Sequence, residues 1–309
     1  MTRPFFSVII PAYNADGTIR STIASVLAQS ETDFEIIVVD DGSRDGTLTT
    51  LLSLTGLDQR LRIVSIPNGG VSQARNYGAS LAKGELLAFL DADDQWACEK
   101  LARHRALHKT DPALDASFAQ VQFCADQNGR MVPGRSSSTV PAGHLDVADI
   151  VVENAICTTS NFVVARDSFA DIGGFDVSMR HAEDQELFAR LLGFGSLIRG
   201  IDEPLVRYRM SEDGLSRDFE AMLEGWKSFA GYWLADDELA QAEATYCRYL
   251  ARRALRSGAD IAVARDFARR GLEAHRDTFM AGGLRSAMTL GGALAGAALP
   301  ARLRRAVFA

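Results

Sequence analysis

Residues 85–94 read Glu-Leu-Leu-Ala-Phe-Leu-Asp-Ala-Asp-Asp (ELLAFLDADD). The unbroken apolar centre predicts a short strand covered on both faces, as in a parallel sheet. Three carboxylates follow without a spacer, at the carboxyl end of that strand, where open α/β sheets take their ligands. Carboxylates crowded together raise one another's pKa unless a cation compensates. Hard oxygen donors suit Mg2+ or Mn2+, and such an ion neutralises a diphosphate. Asp93 or Asp94 could also cap the following helix. The place directly after an apolar strand favours metal or phosphate chemistry.

Working back from this stretch, strands and helices alternate. Ser7 to Tyr13 is β-branched and stops at the turn formers Asn14-Ala15-Asp16-Gly17. Thr18 to Gln29 carries Ile19, Ile23, Val26 and Leu27 at helical spacing. Glu35 to Asp41 and Arg62 to Ile66 read as strands, and Thr47 to Leu54 and Val71 to Lys83 as helices. This order predicts right-handed βαβ crossovers and an α/β fold with a mainly parallel central sheet flanked by helices. The polar strand ends Tyr13-Asn14, Asp40-Asp41 and Asp91 to Asp94 should then line one crevice.

Further on, Glu99 to Lys109 reads as a helix and Ala116 to Ala125 as a strand. Asn128 to Gly143, rich in Gly, Pro and Ser, is predicted to be a mobile loop. Asp146 to Glu153 looks helical, Asn161 to Ala165 extended, Ala182 to Leu192 an amphipathic helix, and Leu197 to Met210 extended. From Phe219 the pattern is helical, with breaks near Ser257-Gly258 and Gly282-Gly283.

Three more motifs carry possible chemistry. In Asp40-Asp41-Gly42-Ser43, a carboxylate at a strand end can accept from a base N–H or a ribose hydroxyl, or can form an Asx turn. Asn68-Gly69-Gly70 opens a helix bearing Arg75 and Asn76, which suits an anion at a helix N-terminus or a plain turn. The spacing is neither GxGxxG nor a Walker P-loop. Gly173-Gly174-Phe175-Asp176 is followed by Glu183-Asp184 at the start of a helix. A cleft carboxylate there could be a general base, although the residue types alone favour acids complementing a helix dipole.

The 309 residues are 47% hydrophobic and 24% charged, with a net charge of -7, which argues against nucleic acid as a partner. Residues 248–309 contain twelve Arg, no Lys and four acids, so a basic tail follows an acidic body. Cys98, Cys124, Cys157 and Cys247 have no zinc spacing, which suits free thiols in a reducing cytoplasm. The first apolar run reads as a strand rather than an export signal.

Taken in order, Ser7 to Asn14 (SVIIPAYN), Val38 to Ser43 (VVDDGS), Ala74 to Gly78 (ARNYG), Leu90 to Asp94 (LDADD), Gly173 to Asp176 (GGFD) and Glu183-Asp184 resemble the motifs of family 2 glycosyltransferases. The resemblance spans about residues 5 to 216. It implies an inverting enzyme of Rossmann-like GT-A fold over residues 1–216, with a nucleotide half to about 110 and an acceptor half beyond. Beyond the resemblance, the helical pattern and basic composition of residues 217–309 read as an extension that associates with a membrane or a partner. By the same resemblance Pro11, Ala12 and Tyr13, with Asn14 beside them, would contact a nucleotide, and Asp41 its base, with Asp40 adjacent. Asn68 and Arg75 would complete that pocket. Asp91 and Asp93, flanking Ala92, correspond to the DxD motif, with Asp93 the direct ligand of a divalent cation, Mg2+ or Mn2+. Asp184 would be the base and Glu183 its neighbour.

A UDP-linked sugar as donor, a saccharide or lipid-linked acceptor and a role in surface polysaccharide or glycolipid assembly also follow from the resemblance alone. A metal-dependent nucleotidyltransferase would need a basic loop after the first strand, and PAYNADG has no Lys or Arg. A non-catalytic sugar-nucleotide binder would not need Glu183-Asp184. One departure stands out: Tyr208-Arg209-Met210-Ser211 lies where many relatives have Tyr-Arg-x-His. Arg207 or Arg209 could serve the diphosphate instead, or be structural.

Ala287 to Leu299 is apolar but only 13 residues long, against the ~20 needed to span a bilayer. Arg302, Arg304 and Arg305 follow. This composition suits an interfacial segment at the inner face of the cell membrane. A helix packed on the protein, or a homo-oligomer contact, would look the same.

Overall fold

The computed structural model describes residues 3–127, 129–210 and 218–296. Its strands are β1 Phe6–Ala12, β2 Phe34–Asp40, β3 Leu61–Ser65, β4 Leu86–Phe89, β5 Gln95–Trp96, β6 Ala116–Gln127, β7 Arg130–Ser137, β8 Val163–Ala165 and β9 Ile198–Met210. They form one sheet in the order β3-β2-β1-β4-β8-β6-β9-β5, with β7 paired to β6. Strands β3, β2, β1 and β4 are mutually parallel, as the apolar runs predict. Beyond β4 the sheet is mixed, because β8 runs antiparallel to both β4 and β6 while β6 and β9 are parallel. This is the GT-A arrangement.

Helices α1 Ile19–Leu27, α2 Thr47–Leu54, α3 Val71–Leu81 and α4 Lys100–Thr110 follow the first strands. Alternation along the strands decides which helix each face meets. Val8, Ile10, Ile36 and Val38 share a core with Ile19, Ile23 and Val26 of α1. Each such buried side chain contributes about 1.5–3 kcal/mol. On the other face α3 approaches so closely that a Cβ on Gly78 would lie 2.6 Å from Ile9 Cγ2. The register sets Ala12 level with Asp40, and Leu90 N–H donates to Ile9 O at 3.0 Å. The polar ends of β1, β2 and β4 therefore emerge side by side.

The stretch predicted as a loop from Asn128 to Gly143 is corrected in part. Arg130–Ser137 is strand β7, pairing Gln127 with Arg130 and Asp126 with Met131. Its register breaks between Gln122 and Cys124, beyond the Cys124–Pro133 pair. Pro133 and Gly134 are tolerated on such an edge strand, yet they hide it from a reading by composition. Asn128 lies outside the described residues.

Two compact units make up the chain, residues 1–146 with 155–211, and residues 147–154 with 212–309. The first also holds α6 Arg166–Asp171 and α7 Glu183–Gly193. The second comprises α5 Val147–Val151, α8 Phe219–Ala230, α9 Asp236–Ser257, α10 Ile261–Met280 and α11 Leu284–Ala295. Breaks fall at Gly258 and Gly283, both with positive φ. Trp226 anchors this unit: its indole N–H donates to Val151 O at 2.7 Å and its ring stacks on Tyr246. Among the described residues no helix is long and apolar enough to cross a membrane.

Candidate active site

Arg75 joins three of the motifs. It lies in the second turn of α3, is 3% exposed, and spends its guanidinium on two carboxylates. Nη2 donates to Asp91 Oδ1 at 2.7 Å and Nη1 to Glu183 Oε1 at 2.9 Å. Its face packs over the Phe175 ring at 5.2 Å. The neighbouring Asn76 clasps Phe175 from both sides: Nδ2 donates to Phe175 O at 2.8 Å, and Phe175 N–H donates to Asn76 Oδ1 at 2.9 Å. Segments 74–78, 90–94, 173–176 and 183–184 are thus one assembly.

At the ends of β1 and β2 the carboxylates organise backbone. Asp41 accepts from Gly69 N–H at 2.8 Å, Gly70 N–H at 2.9 Å and Asn68 Nδ2 at 3.1 Å. Asp40 accepts from Ser43 N–H and the Ser65 hydroxyl. Pro11 and Ala12 are buried in β1, with Ala12 O taken by Asp41 N–H. Tyr13, 46% exposed, and Asn14 extend beyond them. Asn14 has a left-handed φ of 49° and accepts Arg44 N–H at 2.8 Å. Helix α3 links the two groups, since Gly70 at its start holds Asp41 and Arg75 five residues on holds Asp91.

Residues 91–94 are pinned from three sides. Asp91 N–H donates to the Ser160 hydroxyl at 3.0 Å. Thr22 of α1 donates to the carbonyls of Ala92 and Asp94 at 2.9 and 2.8 Å. Arg209 donates its backbone N–H to Asp94 Oδ1 at 2.8 Å, Nε to Asp93 O at 2.9 Å and Nη1 to Asp126. Arg209 is therefore built into the loop's support, whereas Arg207 is exposed. Ser211 lies outside the described residues. Ser160, Thr22 and Asp126 were not singled out by sequence. The polar run Thr158-Thr159-Ser160-Asn161 among apolar neighbours is the one signal that could have flagged the first.

The electrostatics of the acids differ. Burial, then the charge of Asp91, pushes Asp93 up to about 6. Asp94 is fully buried, and burial, then Asp93 and Asp91, hold it well above the usual carboxylate range. Burial, then Glu183, pushes Asp184 up to about 7 against the pull of Arg75. A carboxylate in that range can take a proton near neutrality. Ala182, just before Glu183, has φ 59°, a left-handed conformation that L-residues adopt at a cost and that gathers at functional sites.

Among the described residues no group of three or more His, Cys, Asp or Glu could hold a metal by itself. Asp91, Asp93 and Asp94 lie near enough to act on one another, but Asp91 already neutralises Arg75, and Asp94 is fully buried and accepts Arg209 N–H, which leaves Asp93 and the free part of Asp91 as donors. Such a set fits a divalent cation only where diphosphate oxygens and water complete the shell.

A family model described as Glycosyl transferase family 2 matches residues 7–173. The chain belongs to glycosyltransferase family 2. This glycosyltransferase is 29% identical to TuaG of Bacillus subtilis (strain 168), a protein named for teichuronic acid biosynthesis, over 79% of this chain and 93% of TuaG. It is 32% identical to the amylovoran biosynthesis glycosyltransferase AmsB of Erwinia amylovora, over 66% of this chain and 69% of AmsB. Residues 1–349 of S. aureus TarS share its fold, with a TM-score of 0.59 and 21% identity over 98% of this chain and 88% of that one. TarS was also solved with UDP and with UDP-GlcNAc. The family match ends before Glu183, so in this glycosyltransferase the geometry around Arg75 connects Glu183-Asp184 to the rest.

Proposed function

We propose that this family 2 glycosyltransferase inverts the anomeric centre of a UDP-sugar as it moves the sugar to an acceptor hydroxyl in surface polysaccharide or glycolipid assembly. The observation that carries the reading is the Arg75 bridge, which sets the candidate base beside the strand end suited to a diphosphate. The UDP complexes of TarS support the donor, and the names of TuaG and AmsB support the pathway class.

Tyr13, Asn14 and the turn held by Asp41 and Asn68 would seat the nucleoside, with Pro11, Ala12 and Asp40 shaping that end. Asp93, with Asp91 beside it, would hold Mg2+ or Mn2+, which stabilises the charge of a departing diphosphate. Asp184 would take the proton of the acceptor hydroxyl as its oxygen bonds to the anomeric carbon, while the bond from that carbon to the diphosphate oxygen breaks on the opposite face. Glu183 would keep Arg75 in place.

Asp184→Asn tests this reading. Transfer should fall by about 10²–10⁴-fold, the range of a lost general base, while calorimetry should show UDP-sugar binding within about twofold of wild type. Retained turnover would reject Asp184 as the base.

A further inference from the structure

Lys100, His104 and His108 recur every four residues along α4, so three bases share one face of it. Lys100 and His104 are fully buried. A hydrogen-bonded chain joins them. Lys100 Nζ lies 2.8 Å from His104 Nε2, His104 Nδ1 lies 2.7 Å from the Ser117 hydroxyl of β6, and His108 Nε2 lies 2.9 Å from the same hydroxyl. Lys100 also donates to Asn161 O at 3.2 Å and stands 5.2 Å from the centre of the Trp96 ring.

Among the described residues no carboxylate offsets Lys100, and burial holds its amine well below the ordinary lysine range. Burial, then Lys100 and His108, do the same to His104, and burial pushes His108 down to about 4. The hydrogen bonds run in one direction. His108 also bonds the Leu114 backbone, a contact that favours a proton on its ring, so a neutral His108 has Nε2 left to accept from Ser117. The Ser117 oxygen then accepts from His104 Nδ1, and His104 Nε2 accepts from Lys100. An uncharged amine has two N–H bonds, and His104 and Asn161 O take both. What Lys100 holds continues to the acidic stretch. Asn161 is locked in place: Nδ2 donates to Ala119 O at 2.6 Å and Ile156 O at 3.0 Å, and Oδ1 accepts Ala119 N–H at 2.8 Å. In the preceding Ser160, the carbonyl accepts the Trp96 indole N–H at 2.8 Å and the hydroxyl accepts Asp91 N–H at 3.0 Å. Lys100 and Trp96 thus close the back of one buried turn, Thr159–Asn161, whose front holds Asp91.

We propose that Lys100 is a positioning residue for the donor site: its amine, backed by His104, Ser117 and His108, fixes Asn161 and so aims the Ser160 hydroxyl at Asp91. The inference rests on the reading of Asp91 and Asp93 as the cation site. Removing a group that orients a ligand from behind weakens metal binding by about 10–100-fold.

Calorimetry of UDP binding to the full chain, with and without Mn2+, tests it. Lys100→Met, uncharged and of similar length, should lose about tenfold of the affinity that Mn2+ adds, while keeping the metal-free affinity and a cooperative thermal transition. Ser160→Ala should lose as much, and Lys100→Met/Ser160→Ala no more than either alone, because both interrupt one route. An undiminished Mn2+ gain in Lys100→Met, equal losses with and without the ion, or additive losses in the double variant would overturn the proposal. So would a Lys100→Met chain that no longer unfolds cooperatively, which would make the lysine a support of the fold alone. No Mn2+ gain in wild type would instead reject the cation site itself, and this inference with it.

Discussion

Removing the Arg75 guanidinium would leave Asp91 and Glu183 facing one another with no counter-charge between them. Breaking such a buried pair costs about 3–5 kcal/mol, so Arg75→Met should lower the urea midpoint accordingly. A second readout follows from the direction of its influence on Asp184. The base works deprotonated, so kcat/KM in wild type should fall as pH drops through about 7, the value to which burial and Glu183 push Asp184. Arg75 pulls that value down, so Arg75→Met should move the acid limb to higher pH. An unshifted profile would mean that Asp184 is not the titrating group. At this scale the sequence named Asp91, Arg75 and Glu183 but not their union, because positions 75, 91 and 183 meet only through the fold. Thr22 and Ser160 were illegible for a related reason: a hydroxyl that holds a distant backbone group leaves no local pattern.

Between α6 and α7 the Gly173-Gly174 pair is two different things. Both residues have left-handed φ, 83° and 73°. A Cβ on Gly173 would meet nothing within 4 Å, whereas one on Gly174 would lie 2.6 Å from Asn76 Oδ1. Gly173→Ala should therefore cost only the left-handed penalty of about 1–2 kcal/mol. Gly174→Ala should cost more, because it also breaks the clasp on Phe175. Equal urea midpoints for the two variants would remove the clasp as a support of the site. The parallel strands and α1 to α4 were readable because unbroken apolar runs and helical spacing alternate there. Strand β5 is two residues long and β7 contains Pro133-Gly134, so pairing with β9 and β6, rather than local composition, makes them strands.

Over the whole molecule, a short internal segment belongs with the C-terminal helices. Ile150 and Val151 of α5 are fully buried, and Val151 O accepts the Trp226 indole N–H. A chain ending at residue 217 would uncover them and should bind a hydrophobic dye and aggregate; a soluble, dye-silent fragment would contradict that grouping. The charge asymmetry was legible in composition, but the place of α5 among the C-terminal helices needed the fold. Arg302, Arg304 and Arg305 lie outside the described residues.

Whether the acidic strand ends form one donor site is tested most directly by titrating the full chain with UDP in a calorimeter, with and without Mn2+. Wild type should bind at least about tenfold more tightly with the ion, a gain near 1.4 kcal/mol, and Asp93→Ala should lose that gain while keeping the metal-free affinity. Equal affinity with and without Mn2+, or a gain undiminished in Asp93→Ala, would contradict it.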